Sequence, residues 1–326
     1  MNDNKAEEVR STGCTLMIFE DCEYRTAVTK DFQTEADIVI LIHGFTSHGE
    51  YMGERLAPYL RHENYQVFLF NYDSYRGILP AVNSLRELLE SYNNQTDRKI
   101  SSKKIFLIAH SMGGLVARKF TIDDAQQEYS DRLIRGVVML ATPNNGVIQN
   151  RLSDQQWRKF AHNLIHVSEE IGGVFPQVQT WGCKAVRELT KIDEDNIVTT
   201  LNNQWNQMEN DFDFPPSLSI SGGRNSLEFT NRLRGAIINR TIQQLICDSN
   251  SHCPNDGIVL ECSVDMNSYI TYLSRRYTHL NQYSEYLNTN HNTIHLQQIV
   301  LTRIGEWLQT IQQSANGSNA TLLGNT

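Results

Sequence analysis

The chain has 326 residues, of which 40% are hydrophobic and 20% are charged, as is usual for a globular enzyme. Its formal net charge of −8 and the lack of a basic run argue against nucleic acid as the main partner and against tight electrostatic attachment to anionic membranes. No stretch approaches the roughly 20 apolar residues of a transmembrane helix, and the polar start MNDNKAEEVRSTG lacks the apolar region of a secretory signal, so we expect a cytoplasmic protein.

The spacing of the cysteines matches no metal-binding or redox motif. The chain has six of them, none in a C-x-x-C pair and none in a Cys/His cluster with zinc-ligand spacing, so we expect no metal site. In a reducing compartment all would be free thiols. If the protein is exported, Cys247 and Cys253, which are six residues apart in a polar segment, are the pair expected to form a disulfide.

Buried strands alternate with helices over the first half of the chain. The nearly continuous apolar run Ala36–Ile42 indicates a strand buried on both faces, and apolar residues at helical spacing between Val82 and Tyr92 indicate a helix. This order predicts a parallel, doubly wound α/β sheet. The predicted strands are Leu16–Phe19, Tyr24–Val28, Ala36–Ile42, Gln66–Asn71, Ile105–Ala109, Gly136–Ala141, Ser217–Ser221 and Arg276–Leu280.

The segment KKIFLIAHSMGGLVARKFT, residues 103–121, combines a short apolar strand, a tight turn at Ser111 and a helix that opens at two glycines. Small residues on both sides suit a strained turn, and the helix N-terminus favours a developing negative charge near the serine hydroxyl. Ala109-His110-Ser111-Met112-Gly113 resembles the G-x-S-x-G nucleophile elbow of the α/β-hydrolases. Alanine replaces the first glycine, as in the Ala-His-Ser-Met-Gly variant of bacterial lipases.

Two further loops follow predicted strands and resemble the same family. His43-Gly44-Phe45 is similar to the loop that forms the oxyanion hole, and Thr142-Pro143 is similar to the family at the matching place. The resemblance implies that the backbone N–H groups of Phe45 and Met112 bind the oxyanion. In such a loop His43 is a structural hydrogen-bonding residue and not a catalytic base. All three loops are predicted at the carboxyl ends of parallel strands, where open α/β sheets bind ligands.

The resemblance also implies an acid and a base, in the chain order serine, acid, histidine. Asn255-Asp256-Gly257 resembles the acid loop of lipases, so Asp256 is the predicted acid. Asp248 and Asp265 are the alternatives, and a plain turn aspartate would look the same, since Asn, Asp and Gly are turn formers. His291, in the loop before the last helix, is the predicted base. His295 already lies in that helix, so we expect it to pack or cap.

The alternation of strands and helices stops between residues 147 and 214. A capping box and helical patterns dominate there, with predicted helices behind Ser153, from Cys183 to about Thr190 and from Ile197 to Met208. Three of the four tryptophans fall in this insert, so we expect a helical cap that faces substrate, or a helical subdomain that buries them. The predicted hydrolase domain spans residues 14–312, between flexible tails at 1–13 and 313–326.

The resemblance covers about Ala36 to Trp307, nearly the whole chain. It implies a serine carboxylester hydrolase of the lipase or esterase type, which cleaves a hydrophobic acyl ester through a Ser111-His291-Asp256 triad without metal or organic cofactor. The expected partner is a small-molecule or lipid ester, with transient contact to a lipid surface through the cap. An acyltransferase or thioesterase would use the same triad, and a non-catalytic binding protein on this fold is a third alternative.

Overall fold

The structure of the chain is a computed structural model. It describes residues 14–28, 31, 35–94, 104–128, 131–147, 156, 184–189, 196–208, 214–229, 232–247, 254–268, 277–280 and 289–315. The predicted tails lie outside these residues, except that the last helix continues beyond the predicted boundary at 312 as far as Ala315. No described helix is long and apolar enough to cross a membrane.

Within the described residues, eight strands form the sheet at the centre of the fold: β1 (Thr15–Glu20), β2 (Glu23–Thr26), β3 (Ile38–Ile42), β4 (Gln66–Asn71), β5 (Ile105–His110), β6 (Ile134–Leu140), β7 (Ser217–Ile220) and β8 (Tyr277–Leu280). Their order across the sheet is β2-β1-β4-β3-β5-β6-β7-β8. β1 pairs antiparallel with β2 and with β4 at one edge, and the other six strands, β3 to β8, are parallel to one another.

Helices cover both faces of the sheet. The described helices are α1 (Gly49–His62), α2 (Ile78–Asn94), α3 (Met112–Ala125), α4 (Lys184–Glu188), α5 (Ile197–Met208), α6 (Arg232–Ile246), α7 (Glu261–Val264) and α8 (Gln298–Ala315). One face of the sheet packs on α1 and α8, and the other packs on α2, α3 and α5, with a separate apolar cluster on each side. Every residue of β3 and β5 is buried, as expected for parallel strands covered on both faces.

The predicted strands are confirmed, with shifts of one or two residues at their ends. The sequence reading missed α6, because its many Arg, Asn and Gln residues resemble a polar loop. The signal that identifies this helix is the spacing of Ile238, Ile242 and Ile246, which are buried on one side of it at intervals of four.

Part of the predicted cap is described. The two helices predicted at its carboxyl half are confirmed as α4 and α5, whereas the helix predicted behind Ser153 lies outside the described residues. Trp205 of α5 is 1% exposed and packs edge-on against Phe214 and under the guanidinium of Arg118 in α3. This tryptophan therefore belongs to the core, and Trp157 and Trp181 lie outside the described residues.

The order of strands defines where a ligand site belongs. The chain runs from β3 outward to β4, then returns across β3 to β5, so the strand order reverses between β3 and β5. In open α/β sheets, ligands bind at the carboxyl ends of the strands beside such a reversal. The loops at this point are the ones that begin with His43 and with Ser111.

Candidate active site

Ser111 lies between β5 and α3 in a backbone conformation that few non-glycine residues adopt. Its φ is 52° and its ψ is −127°, a geometry that stores about 1–3 kcal/mol of strain. Its N–H donates to the carbonyl of Leu140, and its carbonyl accepts from Gly114 N–H, both at 2.9 Å. The neighbouring strand and the first turn of α3 thus hold the strained turn in place.

Glycines allow the loop after β3 to approach this turn. A Cβ on Gly44 would lie 2.9 Å from Ser111 Cβ, and a Cβ on Gly113 would lie 2.4 Å from the carbonyl oxygen of His43. Neither distance leaves room for a side chain. Ala109, where the family pattern has its first glycine, is fully buried in the core with its methyl group accommodated.

The structure brings Ser111, His291 and Asp256 together from three separate loops. His291 Nε2 lies 2.9 Å from Ser111 Oγ, and His291 Nδ1 lies 2.9 Å from Asp256 Oδ2. All three side chains are buried, with 9% of Ser111, 4% of His291 and 1% of Asp256 exposed. An ionised carboxylate can only accept, so it holds the proton on Nδ1 and leaves Nε2 free to accept from the serine hydroxyl.

The loop around Asp256 is fixed by hydrogen bonds to both sides. Asp256 Oδ1 accepts the N–H groups of Ile258 at 3.1 Å and Val259 at 2.8 Å, so each carboxylate oxygen has partners. The amide of Asn255 pairs reciprocally with that of Gln243 in α6, at 2.9 and 3.0 Å. The acid loop is therefore attached to α6.

Three contacts hold the loop that carries His291. The backbone N–H of His291 donates to the carbonyl of Asp256 at 2.8 Å, and Tyr51 donates its hydroxyl to the carbonyl of Asn292 at 3.0 Å. The third donor is His110, whose Nε2 lies 2.8 Å from the carbonyl oxygen of His291. Tyr51 and the side chain of His110 were not assigned a role from the sequence. The motif position of His110, next to Ser111, is the signal that could have identified it.

Three other histidines near the site, His43, His110 and His295, are buried, and burial keeps them neutral. Burial lowers the pKa of His43 and of His295 to about 4. For His110, burial first and then the neighbouring His291 and His295 lower the pKa well below its usual range. His43 Nδ1 donates to the carbonyl of Gly44, its Nε2 accepts from Tyr72 N–H, and its ring stacks on that of Tyr72. These contacts make His43 a structural residue.

A cleft opens in front of Ser111. Its apolar wall consists of Phe45, Val147, Leu189 and Ile258. The carbonyl of Leu189, which directly follows α4, accepts the N–H of Val147 at 2.7 Å. Both residues belong to the predicted cap, so its described part contributes directly to the cleft. Met112 begins α3, and its N–H is one of the groups at a helix N-terminus without a carbonyl partner inside the helix.

Glu188 attaches the cap segment to the body of the protein. Its Oε2 accepts the N–H of Ile78, the first residue of α2, at 2.7 Å. Burial raises the pKa of Glu188, and the hydrogen bond from Ile78 partly offsets that effect. α4 is therefore connected to the first turn of α2 by a partly buried carboxyl group.

The alternative acid and base residues lie elsewhere. Asp265 is at the end of α7, where its Oδ1 accepts the N–H of Asn267, and Asp248 lies outside the described residues. His295 is fully buried, packing edge-on against Tyr51, in a single 3₁₀ turn that precedes α8. Within the described residues, no group of three or more His, Cys, Asp or Glu side chains could hold a metal ion.

The cysteines differ from the expectation of six free thiols. Cys14, Cys22 and Cys262 form no disulfide, but Cys247 at the end of α6 is disulfide-bonded. Both remaining cysteines, Cys183 and Cys253, lie outside the described residues. The pairing of Cys247 with Cys253 therefore stays a prediction.

The sheet order, the strained serine turn and the loops around it define an α/β-hydrolase. Residues 33–243, more than half of the chain, match the family described as Hydrolase_4, serine aminopeptidase S33. The chain belongs to this family. No curated protein matches the sequence.

Solved structures with the same fold come from several kinds of hydrolase. The mature lipase BlEst2 of Bacillus licheniformis matches with a TM-score of 0.51 and 14% identity, over 85% of this chain and 92% of the lipase. A carboxylesterase of the thaumarchaeon Nitrososphaera gargenis gives 0.50 and 12%, over 86% and 92%. The haloalkane dehalogenase DpaA of Paraglaciecola agarilytica NO2 gives 0.51 and 13%, over 82% and 83%. At these identities the similarity establishes the fold alone.

Proposed function

We propose that this protein is a serine carboxylester hydrolase of the lipase or esterase type, with Ser111 as nucleophile, His291 as base and Asp256 as acid. One observation carries the proposal: a continuous hydrogen-bonded chain runs from Asp256 through His291 to Ser111, with 2.9 Å at each step. Nucleophile, base and orienting acid within hydrogen-bond reach are the arrangement that acyl transfer through a covalent intermediate needs.

The reaction proceeds in two halves. His291 Nε2 takes the hydroxyl proton as Ser111 Oγ attacks the ester carbonyl, and Asp256 stabilises the imidazolium that forms. His291 then gives the proton to the leaving alcohol, which departs and leaves an acyl group on Ser111. In the second half His291 takes a proton from water, the hydroxide attacks the acyl carbonyl, and the carboxylic acid leaves as the proton returns to Ser111 Oγ.

The oxyanion of each tetrahedral intermediate would accept hydrogen bonds from the N–H groups of Phe45 and Met112. The support is positional, because Gly44 brings the loop of Phe45 against Ser111 and Met112 opens a helix of 14 residues. The partial positive charge at that helix end favours the negative oxygen. Loss of one such donor typically lowers kcat by about 10²–10³.

The lining of the cleft supports a hydrophobic acyl ester as substrate. Phe45, Val147, Leu189 and Ile258 present apolar surface beside Ser111. An aminopeptidase, the activity in the family's description, must bind a free ammonium group, for which a carboxylate is the usual partner. Among the described residues that line the cleft, none is acidic. This contrast favours an ester over a peptide with a free amino terminus.

The test is a series of p-nitrophenyl esters of increasing acyl length, together with an aminoacyl amide and labelling by a fluorophosphonate probe. We expect ester hydrolysis, probe labelling that depends on Ser111, and a loss of at least about 10³ in kcat in Ser111→Ala. Ser84→Ala in α2 is the matched control and should retain both properties. Activity that survives in Ser111→Ala would refute the assignment, and dominant transfer of the acyl group to an added alcohol would indicate an acyltransferase.

A further inference from the structure

α6, the helix that the sequence did not reveal, carries an unusual outward face. Leu233 is 76% exposed and Ile237 is 62% exposed, and they are two of the three large apolar side chains that are exposed among the described residues. They lie one turn apart, and the exposed Ala236 lies between them. Large apolar side chains that cluster on one solvated face mark a contact surface.

The charge of α6 is opposite to that of the chain. Its sequence, RLRGAIINRTIQQLI, contains three arginines and no acidic residue, although the net charge of the protein is −8. Arg232 and Arg240 are exposed and lie on either side of the apolar residues. An open groove lined by Arg224, Glu228, Phe229 and Arg232 runs beside them, and Glu228 pairs with Arg224, so among the described residues the unpaired positive charge of this surface comes from α6.

The outward face of α6 is fixed to the loops of the candidate active site. The side chain of Asn239 binds both the N–H and the carbonyl of Leu227, at 2.9 and 2.8 Å. The Leu227 side chain lies 3.0 Å from where a Cβ of Gly257 would be, next to Asp256. The backbone N–H of Arg224 donates to the carbonyl of Thr289, two residues before His291, at 3.0 Å. α6 therefore lies at the same end of the sheet as Ser111.

We propose that the outward face of α6, formed by Arg232, Leu233, Ala236, Ile237 and Arg240, docks the protein on an anionic lipid surface. Leu233 and Ile237 would enter the boundary between headgroups and acyl chains, and the arginines would pair with lipid phosphates. The face spans residues 232–240, about two and a half turns of one helix, and its apolar residues between arginines match the acyl chains and phosphates of an anionic lipid surface. α6 lies outside the predicted cap, and the transient lipid contact predicted for the cap stays a separate prediction.

The role of docking rests on the proposed function, because it would bring a lipid ester to Ser111, but docking itself needs no catalysis. The test measures co-sedimentation of the full chain, as Ser111→Ala, with phosphatidylcholine vesicles that contain or lack phosphatidylglycerol. We expect binding to the anionic vesicles only, weakened by added salt. Leu233→Ser with Ile237→Ser, and Arg232→Ser with Arg240→Ser, should each lower the partition coefficient at least about tenfold.

Leu79→Ser is the matched control, since Leu79 is the third exposed large apolar side chain, and it should bind like the parent protein. All variants with Ser111 restored should hydrolyse a short soluble ester at the unchanged rate, which shows that they fold. Equal binding to neutral vesicles, or unchanged binding after loss of Leu233 and Ile237, overturns the proposal. A dimer in sedimentation velocity that these substitutions dissolve, without vesicle binding, assigns the face to a second copy instead. Vesicle binding without ester hydrolysis refutes the proposed function and leaves docking intact.

Discussion

His110 Nε2 lies 2.8 Å from the carbonyl oxygen of His291, so the residue before the candidate nucleophile holds the candidate base. The carbonyl can only accept, and the ring nitrogen must donate. Because burial keeps the pKa of His110 well below its usual range, the ring stays neutral and its proton stays on Nε2. The strand that presents Ser111 thus also positions the loop of His291.

Removing this donor should impair the chemical step more than substrate binding. We expect His110→Phe to lower kcat about 10²-fold with little change in KM, because a shift of the base by about 1 Å costs that much. His110→Gln, whose amide can donate to the same carbonyl, should recover part of the loss. Steady-state kinetics on a soluble ester and the rate of fluorophosphonate labelling measure both. Equal loss in the two variants would argue against positioning through this hydrogen bond.

A matched pair of substitutions tests whether Asp256 or Asp265 is the acid of the triad. Asp256→Asn should lower kcat by about 10⁴, because an amide cannot hold the proton on Nδ1 of His291 in the same way. Asp265→Asn, which alters the hydrogen bond that this side chain accepts from Asn267 N–H at the end of α7, should retain full activity. The kcat values of both variants decide between them, and a greater loss in Asp265→Asn would reverse the assignment.

Gly44 permits the contact between the loop of Phe45 and the serine turn. In Gly44→Ala the new methyl group would lie 2.9 Å from Ser111 Cβ, so the loop must move away. We expect kcat to fall about 10²–10³-fold, as for loss of one oxyanion donor.

Gly136→Ala provides the control for that substitution. Its methyl group would lie equally close, 2.9 Å, to the Trp307 ring in the core. It should lower the unfolding midpoint in urea without a comparable loss in kcat of the folded protein. If both variants lose kcat to the same degree, the effect of Gly44→Ala comes from general destabilisation.

Stability should decrease in mild acid because buried histidines resist protonation. Burial lowers the pKa of His43 and His295 to about 4, whereas in an unfolded chain histidine binds its proton near pH 6.5. Between these values the unfolded state binds more protons, so the free energy of unfolding falls as the pH is lowered. Each histidine contributes a slope of up to about 1.4 kcal/mol per pH unit. Urea unfolding at several pH values between 7.5 and 4.5 measures the slope.

His295→Phe keeps a ring at this buried position and removes the titrating group. Its slope should be smaller by up to about 1.4 kcal/mol per pH unit. His62→Gln, at a side chain that is 88% exposed, should leave the slope unchanged. An identical pH dependence in His295→Phe and the parent protein would show that His295 does not titrate on unfolding.

Local sequence patterns explain which parts of the fold could be predicted. The strands β3 and β5 appear as unbroken apolar runs because both of their faces are buried, and the serine turn shows itself through the small residues it requires. α6 was not predicted, because its buried side consists of isoleucines spaced by four, between arginines and amides that face outward. In addition, the fold buries Trp205 of the insert under Arg118, a contact between segments far apart in the chain that no local pattern contains.

The sequence by itself determined the fold class and the position of Ser111, since hydrophobic periodicity and the steric needs of a tight turn are properties of neighbouring residues. The convergence of Asp256 and His291 on Ser111 was decided by the tertiary structure alone. Loops distant in the chain meet where the strand order reverses, and the hydrogen bonds of His110, Tyr51 and the Asp256 backbone set their final distances. The tertiary structure likewise decided the exposed face of α6, because the exposure of a side chain depends on which other segments of the chain pack against it.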